Sequence, residues 1–167
     1  TATTHTASVS GSNTSFTGKL GDAALTVASG TWVVGNTATI SNAASIVATG
    51  TIQGDAAILT GETISGAGTV AVTNLNADDD ADLSNITATT HTASVSGSNT
   101  SFTGDIGDAV VTVDNGATWT IGDATVNTGT AVATGTITGD AVKLTTMAIS
   151  GAGTVAVTNL NADDDAD

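Results

Sequence analysis

The sequence has no proline, no cysteine and no tyrosine, and only one methionine. Phe16, Trp32, Phe102 and Trp119 are its only aromatic side chains. Large side chains supply much of the volume of an ordinary core. A chain built from Ala, Val, Ile, Leu and Thr therefore suits a thin interior rather than a thick one. Basic residues are scarce as well. Lys19 and Lys143 stand against 16 acidic residues, giving a net charge of −14. Neutralising phosphates requires Lys and Arg, which excludes nucleic acid as a partner and disfavours anionic membrane surfaces. Cations, cationic surfaces and water remain. No apolar run approaches the roughly 20 residues that span a bilayer, so membrane insertion is not expected. The lack of cysteine permits an oxidising location without requiring one. The chain begins without Met and in mid-repeat, and so reads as a piece of a longer array.

Duplication is the strongest signal. TATTHTASVSGSNTSFTG at 1–18 recurs letter for letter at 87–104, and SGAGTVAVTNLNADDDAD at 65–82 recurs at 150–167. The chain is thus nearly two copies of an 86-residue unit. The first covers 1–86 and the second covers 87–167, cut short at its C-terminal end. A finer rhythm runs inside each unit. Gly-Asp-Ala opens a short apolar run at GDAALTV (21), GDAAIL (54), GDAVVTV (107), GDATV (122) and GDAVKL (139). Between these runs lie alternating segments rich in β-branched residues and punctuated by Gly, Asn or Ser, which is how strands and turns read. No window carries a convincing helical period, so the chain is expected to be all-β.

Two all-β architectures fit an 86-residue unit. In a β-solenoid, coils of about 15–18 residues stack and bury a thin row of small apolar side chains. Five or six such coils would advance about 25–30 Å per unit. The alternative is a string of immunoglobulin-like sandwiches at about 40 Å per unit. A sandwich core needs large residues from both sheets. The scarcity of aromatics and the short internal rhythm therefore favour the solenoid, with the two units forming one continuous stack.

The acidic motif NLNADDDAD, at 74–82 and 159–167, holds eight of the 16 acidic residues. If it is extended, Asn76, Asp78, Asp80 and Asp82 project to one side and Asp79 to the other, because side chains alternate along a strand. Clustered hard oxygens of this kind suit Ca²⁺. The candidate ligands are Asn76, Asp78, Asp79, Asp80 and Asp82, with Asn161, Asp163, Asp164, Asp165 and Asp167 in the second copy. The spacing matches neither well-defined calcium pattern. An EF-hand loop from Asn76 needs Gly at 81 and Glu at 87 and finds Ala81 and Thr87, and the glycine-rich nonapeptide of calcium β-rolls is missing. The plainer reading is a tight polar turn in which Asn and Asp bond nearby amides. Both readings stand at this point.

The other motifs carry less. His5 and His91 occupy equivalent places 86 residues apart, a spacing that fits no zinc pattern, and they are expected to be solvent-facing strand residues. GAGTVA at 66–71 resembles a dinucleotide loop only formally, since such a loop must open a helix and TVAVTNL reads as a strand. No nucleophile elbow or phosphate loop is present, and no enzyme function is expected. Threonine pairs at Thr1/Thr3, Thr37/Thr39, Thr49/Thr51 and Thr134/Thr136 come at irregular intervals. They suit exposed strands better than the regular ladder that an ice-binding face needs.

Phrases such as GTWVVGNTATISNAASIVATGTIQGDAAIL and TISGAGTVAVTNL resemble the tandem β-strand repeats of giant bacterial cell-surface proteins, the large secreted adhesins and S-layer proteins. The resemblance implies export to the cell exterior, a repeated β stalk and, often, calcium-dependent rigidity. The resulting expectation is a structural repeat of an extracellular surface protein, a stiff acidic spacer or surface-layer element. Its partners would be adjacent repeats of the same chain and like molecules in a filament or layer. The competing expectation is an adhesin face or a surface that binds metal ions or mineral.

Overall fold

A computed structural model describes residues 5–41, 43–126 and 129–160. The first unit contributes β1 (Thr6–Val9), β2 (Ala24–Val27), β3 (Thr31–Val34), β4 (Ser45–Ala48), β5 (Thr51–Asp55), α1 (Ala56–Leu59) and β6 (Ile64–Thr73). The strand β7 (Ile86–Val95) opens the second unit. It is followed by β8 (Val110–Val113), β9 (Thr118–Ile121), β10 (Thr130–Ala133), β11 (Thr136–Asp140), α2 (Ala141–Leu144), β12 (Ala148–Ser150) and β13 (Thr154–Thr158).

Every pairing between these strands is parallel. An immunoglobulin-like sandwich is antiparallel, so the chain is a β-solenoid, of about eight turns. The ladder runs from residue to residue across successive coils. Thr6 faces Ala24, Ala24 faces Ser45, Ile46 faces Ile64 and Ile64 faces Ile86. Coils of 18 residues thus alternate with longer ones of 21 and 22, and in the second unit 18 alternates with 20. The 18-residue coils match the upper end of the expected 15–18 residues, and the others exceed it by two to four. Four coils rather than five or six make one unit, which therefore advances about 19 Å at the usual strand spacing.

The interior follows from alternation. In β3, β4, β9 and β10 every second residue is buried, and these inward Ala, Val, Ile and Trp side chains belong to one continuous core. Each unit adds one aromatic pair across adjacent coils, Phe16 with Trp32 at 5.4 Å between ring centroids and Phe102 with Trp119 at 5.9 Å. The corners are as tight as the interior is thin. A Cβ on Gly68 would collide with the carbonyl oxygen of Gly50 one coil above. At the same corners Thr49 and Thr134 donate their hydroxyls to the carbonyls of Val27 and Val113, each at 2.9 Å. Of the threonine pairs, these two members are therefore corner pins between coils, while Thr1 and Thr3 lie outside the described residues.

Two short helical turns depart from the all-strand expectation. Both follow Gly-Asp-Ala, and Asp55 and Asp140 cap them by accepting from the amides of Ala57 and Val142. The residues that follow decide the outcome. AAIL and AVKL propagate a turn, whereas the β-branched LTV and VVTV after Gly21 and Gly107 continue as β2 and β8.

The junction between units has a geometry that the repeat length conceals. β6 and β7 are ten residues long, twice the length of most other strands. Ile64 and Ser65 pair with Ile86 and Thr87 in one column of the ladder, and Thr69–Val72 pair with Thr90–Ala93 in the next. Thr92, the counterpart of Thr6, thus lies beneath Ala71 and above Val110. A column through Phe16, Val34, Gly54 and Val72 runs on as Ala93, Val111, Ala131 and Ile149. The second strand position of the first unit is therefore the first strand position of the second unit. Successive units are shifted by one side of the coil, and the core passes through without a break.

Candidate functional site: the acidic loop at the unit junction

The acidic motif 74–82 sits in this junction and is folded rather than extended. Asn74 adopts a left-handed backbone (φ 53°), and Leu75–Ala77 form a single 3₁₀ turn. Fully buried Leu75, Ala81 and Leu83 fasten the two ends of the motif into the core. The one-sided projection expected of an extended stretch is thereby lost, because a 3₁₀ turn followed by a second turn points successive side chains in different directions.

Several of the polar groups are spent on neighbouring coils. Toward the preceding coil, Asn74 donates its amide to Asp55 at 2.9 Å, and the Asp82 amide donates to the Thr60 hydroxyl at 2.9 Å. Toward the following coil, the Asn76 side-chain oxygen accepts from the amides of Ser96 and Gly97 at 3.0 and 3.1 Å. Asp79 accepts from the Thr100 hydroxyl at 3.1 Å, and its carbonyl accepts from the Thr103 amide at 2.6 Å. The approach is close enough that a Cβ on Gly104 would collide with the Ala81 carbonyl oxygen. Asp82 accepts from the amide and hydroxyl of Ser84 at 3.0 and 2.6 Å.

The carboxylates accordingly have different electrostatics. The two Ser84 donors hold Asp82 below the usual carboxylate range. Partial burial pushes Asp78 above that range, with Asp80 and Asp55 adding repulsion. One carboxylate oxygen of Asp79 is buried without a partner. Among the described residues no group of three or more His, Cys, Asp or Glu converges in a way that could hold a metal ion. In the second copy, Asn159 repeats the left-handed backbone (φ 54°) and the 2.9 Å bond to an aspartate, here Asp140. Asn161, Asp163, Asp164, Asp165 and Asp167 lie outside the described residues.

The histidines separate. His5 is exposed and lies 2.6 Å from Asp22. His91 is only 4 % exposed, contrary to the expectation of a solvent-facing residue. It keeps the equivalent partner, Asp108, at 3.0 Å, while its Nε2 is buried without a partner. The cause is the coil above, since Val70 lies directly over His91 in the ladder. Burial pulls the His91 imidazole below its ordinary pKa, with Asp108 opposing.

Two structural positions have no counterpart among the expected sites. The Asn13 and Asn99 side chains act as extra ladder rungs. Asn13 accepts from the Val33 amide at 2.7 Å, and Asn99 accepts from the Thr120 amide at 2.6 Å while donating to the Thr120 carbonyl at 3.1 Å. Their recurrence in SGSNTSF was the available signal. GAGTVA lies within β6, as TVAVTNL suggested. No family model, no curated protein and no solved structure matches the chain.

Proposed function

We propose that this chain is a structural repeat of an extracellular surface protein, a stiff acidic spacer whose work is mechanical rather than catalytic. The observation that carries the reading is the junction. The ladder and core continue from one unit into the next through β6 and β7, and the acidic loop is tied to the coils on both sides. Units joined in this way cannot hinge without breaking ladder bonds, and an array of them behaves as a rod. The net charge of −14 keeps such a rod hydrated and resists lateral clumping. The test is small-angle scattering on chains of two, four and six units. Maximum dimension should grow linearly by about 19 Å per unit. Growth with the square root of unit number, as for a flexible string, would overturn the reading.

One observation favours a second role, stiffening by calcium. Partial burial holds Asp78 above the carboxylate range, with Asp80 and Asp55 adding repulsion, and a divalent cation would relieve that repulsion. Thermal melts in millimolar Ca²⁺, in Mg²⁺ and in chelator decide it. A rise of several degrees with Ca²⁺ alone, lost in Asp78→Asn/Asp80→Asn, supports calcium, and superimposable melts remove it.

A further inference from the structure

His91 is the one basic side chain among the buried residues. It stands in the inward-facing row of β7 with Ala93 and Val95, and its side chain is 1 % exposed. Val70 of β6 covers it from one side. On the other side its Nδ1 lies 3.0 Å from Asp108, in the turn before β8, whose own side chain is largely exposed. Thr90 and Thr92 flank it along its strand and carry no charge. Asp108 is therefore the one titratable group acting on it among the described residues. An ionised carboxylate only accepts, so Nδ1 carries the proton of the neutral ring and Nε2 carries the lone pair. That leaves Nε2 as the one place for a second proton, and Nε2 is buried without a partner. A proton there adds a charge and a donor at a point that no acceptor reaches, which the closed junction disfavours.

We infer that His91 is an acid-operated latch on the unit junction. Below neutral pH a proton from solvent reaches Nε2 only when β7 parts from β6, and its uptake holds the junction open. The ladder is already interrupted beside the latch. Gly66 to Thr69 on β6 spans the same stretch as Ala88 to Thr90 on β7, so β6 carries one extra residue there. Opening can therefore stay local, from that irregularity through the pairs Thr69–Thr90 to Val72–Ala93, while the coils on either side remain stacked. The latch adds regulation to the rod proposed above and rests on that reading for its consequence. A stalk that is stiff at neutral pH gains a hinge at the unit boundary in acid.

The test is amide hydrogen exchange on the intact chain from about pH 7 to about pH 5, each rate being divided by that of an unstructured peptide at the same pH. The open form takes up its proton with the ordinary histidine pKa of about 6.5. Protection of the amides in 69–72 and 90–93 should begin to fall near that pH, by up to about tenfold per pH unit. Protection of β11 should stay level. His91→Gln should abolish the fall. Asp108→Asn should deepen it, because Asp108 favours the charged ring in the closed form. This second variant keeps the test decisive if His91→Gln loses the parent's circular dichroism spectrum. Four results overturn the inference: protection at the junction that stays level, a fall shared equally by β11, a fall that survives His91→Gln, or one that Asp108→Asn leaves shallower or unchanged. Any of them leaves the linear growth of longer chains at neutral pH untouched, and exchange reads the latch whether or not the chain is a spacer.

Discussion

SGAGTVAVTNL occurs at 65–75 and again at 150–160, and the two copies have different lives. In the first, Val70, Val72 and Leu75 are sealed in the core. In the second, the same three side chains meet solvent. TVAVT is a parallel strand in both and the asparagine that follows turns left-handed in both, although β6 runs unbroken where β12 and β13 are separated by a bend at 151–153. The difference is one coil. In a stack where each coil touches only its neighbours, burial belongs to the interface and not to the residue.

This comparison can be broken most directly at Val72 and Val157. Val72→Asp places an unpaired charge between two coils and should cost at least about 3 kcal/mol in urea unfolding. Val157→Asp, the same change in the same sequence, should stay within about 0.5 kcal/mol. Equal losses would mean that burial in this fold is set by local sequence after all. The aromatic pairs sharpen the point. Phe102 is fully buried and Phe16 only partly. Phe102→Ala should cost about 3–5 kcal/mol, and Phe16→Ala about half as much or less, read from the same denaturation curves.

The two histidines extend the comparison to pH. His91 is protonated more readily in the unfolded chain than in the folded one, because burial disfavours its charge. Between its depressed folded pKa and the ordinary value of about 6.5, the unfolded state holds more protons. Stability is therefore complete above that window and falls as pH drops through it. The melting temperature should decline from pH 7 toward pH 5, and His91→Gln should flatten the decline. His5→Gln, at the exposed counterpart, should leave the His91-dependent decline in place. A decline that survives His91→Gln would place its origin in the carboxylates instead.

The fold was legible for reasons the same comparison explains. Strict repetition, alternation of Ala, Val, Ile and Thr, and the scarcity of large side chains all act on each coil alike, and they point to a thin stacked core. Coil length was harder to read. Gly-Asp-Ala plays three roles here, a turn before β2 and β8, a cap on α1 and α2, and an irregular bend at Gly122. Taken as one signal it points to coils of about 15–18 residues, which fits the 18-residue coils and falls short of those of 20–22. The fate of His91 and the folding of the acidic loop were not legible, because both depend on which coil lies above and below. That follows from the one-side shift between units at β6 and β7, and no spacing in the sequence marks it.

Within the acidic loop the comparison narrows to two carboxylates four residues apart, with opposite signs. Asp82 is held below the usual range by Ser84. Its contribution is present above the unfolded carboxylate pKa and is lost as pH falls through the folded one. Asp78 is raised by burial, Asp80 and Asp55. Its ionisation is a cost at neutral pH, and the cost is relieved as pH falls through its folded pKa. Asp82→Asn should therefore lower the melting temperature at pH 7, and Asp78→Asn should raise it. Both sites are partly exposed and screened by solvent, so each effect should stay below about 1 kcal/mol, or about 2–4 °C for a chain of this size. Asp78→Asn should converge on the parent as pH falls through the raised folded pKa of Asp78, and Asp82→Asn only at lower pH, below the depressed folded pKa of Asp82. Shifts of the same sign at pH 7 would show that the loop responds to total charge, with the hydrogen bonds between Asp82 and Ser84 contributing nothing of their own.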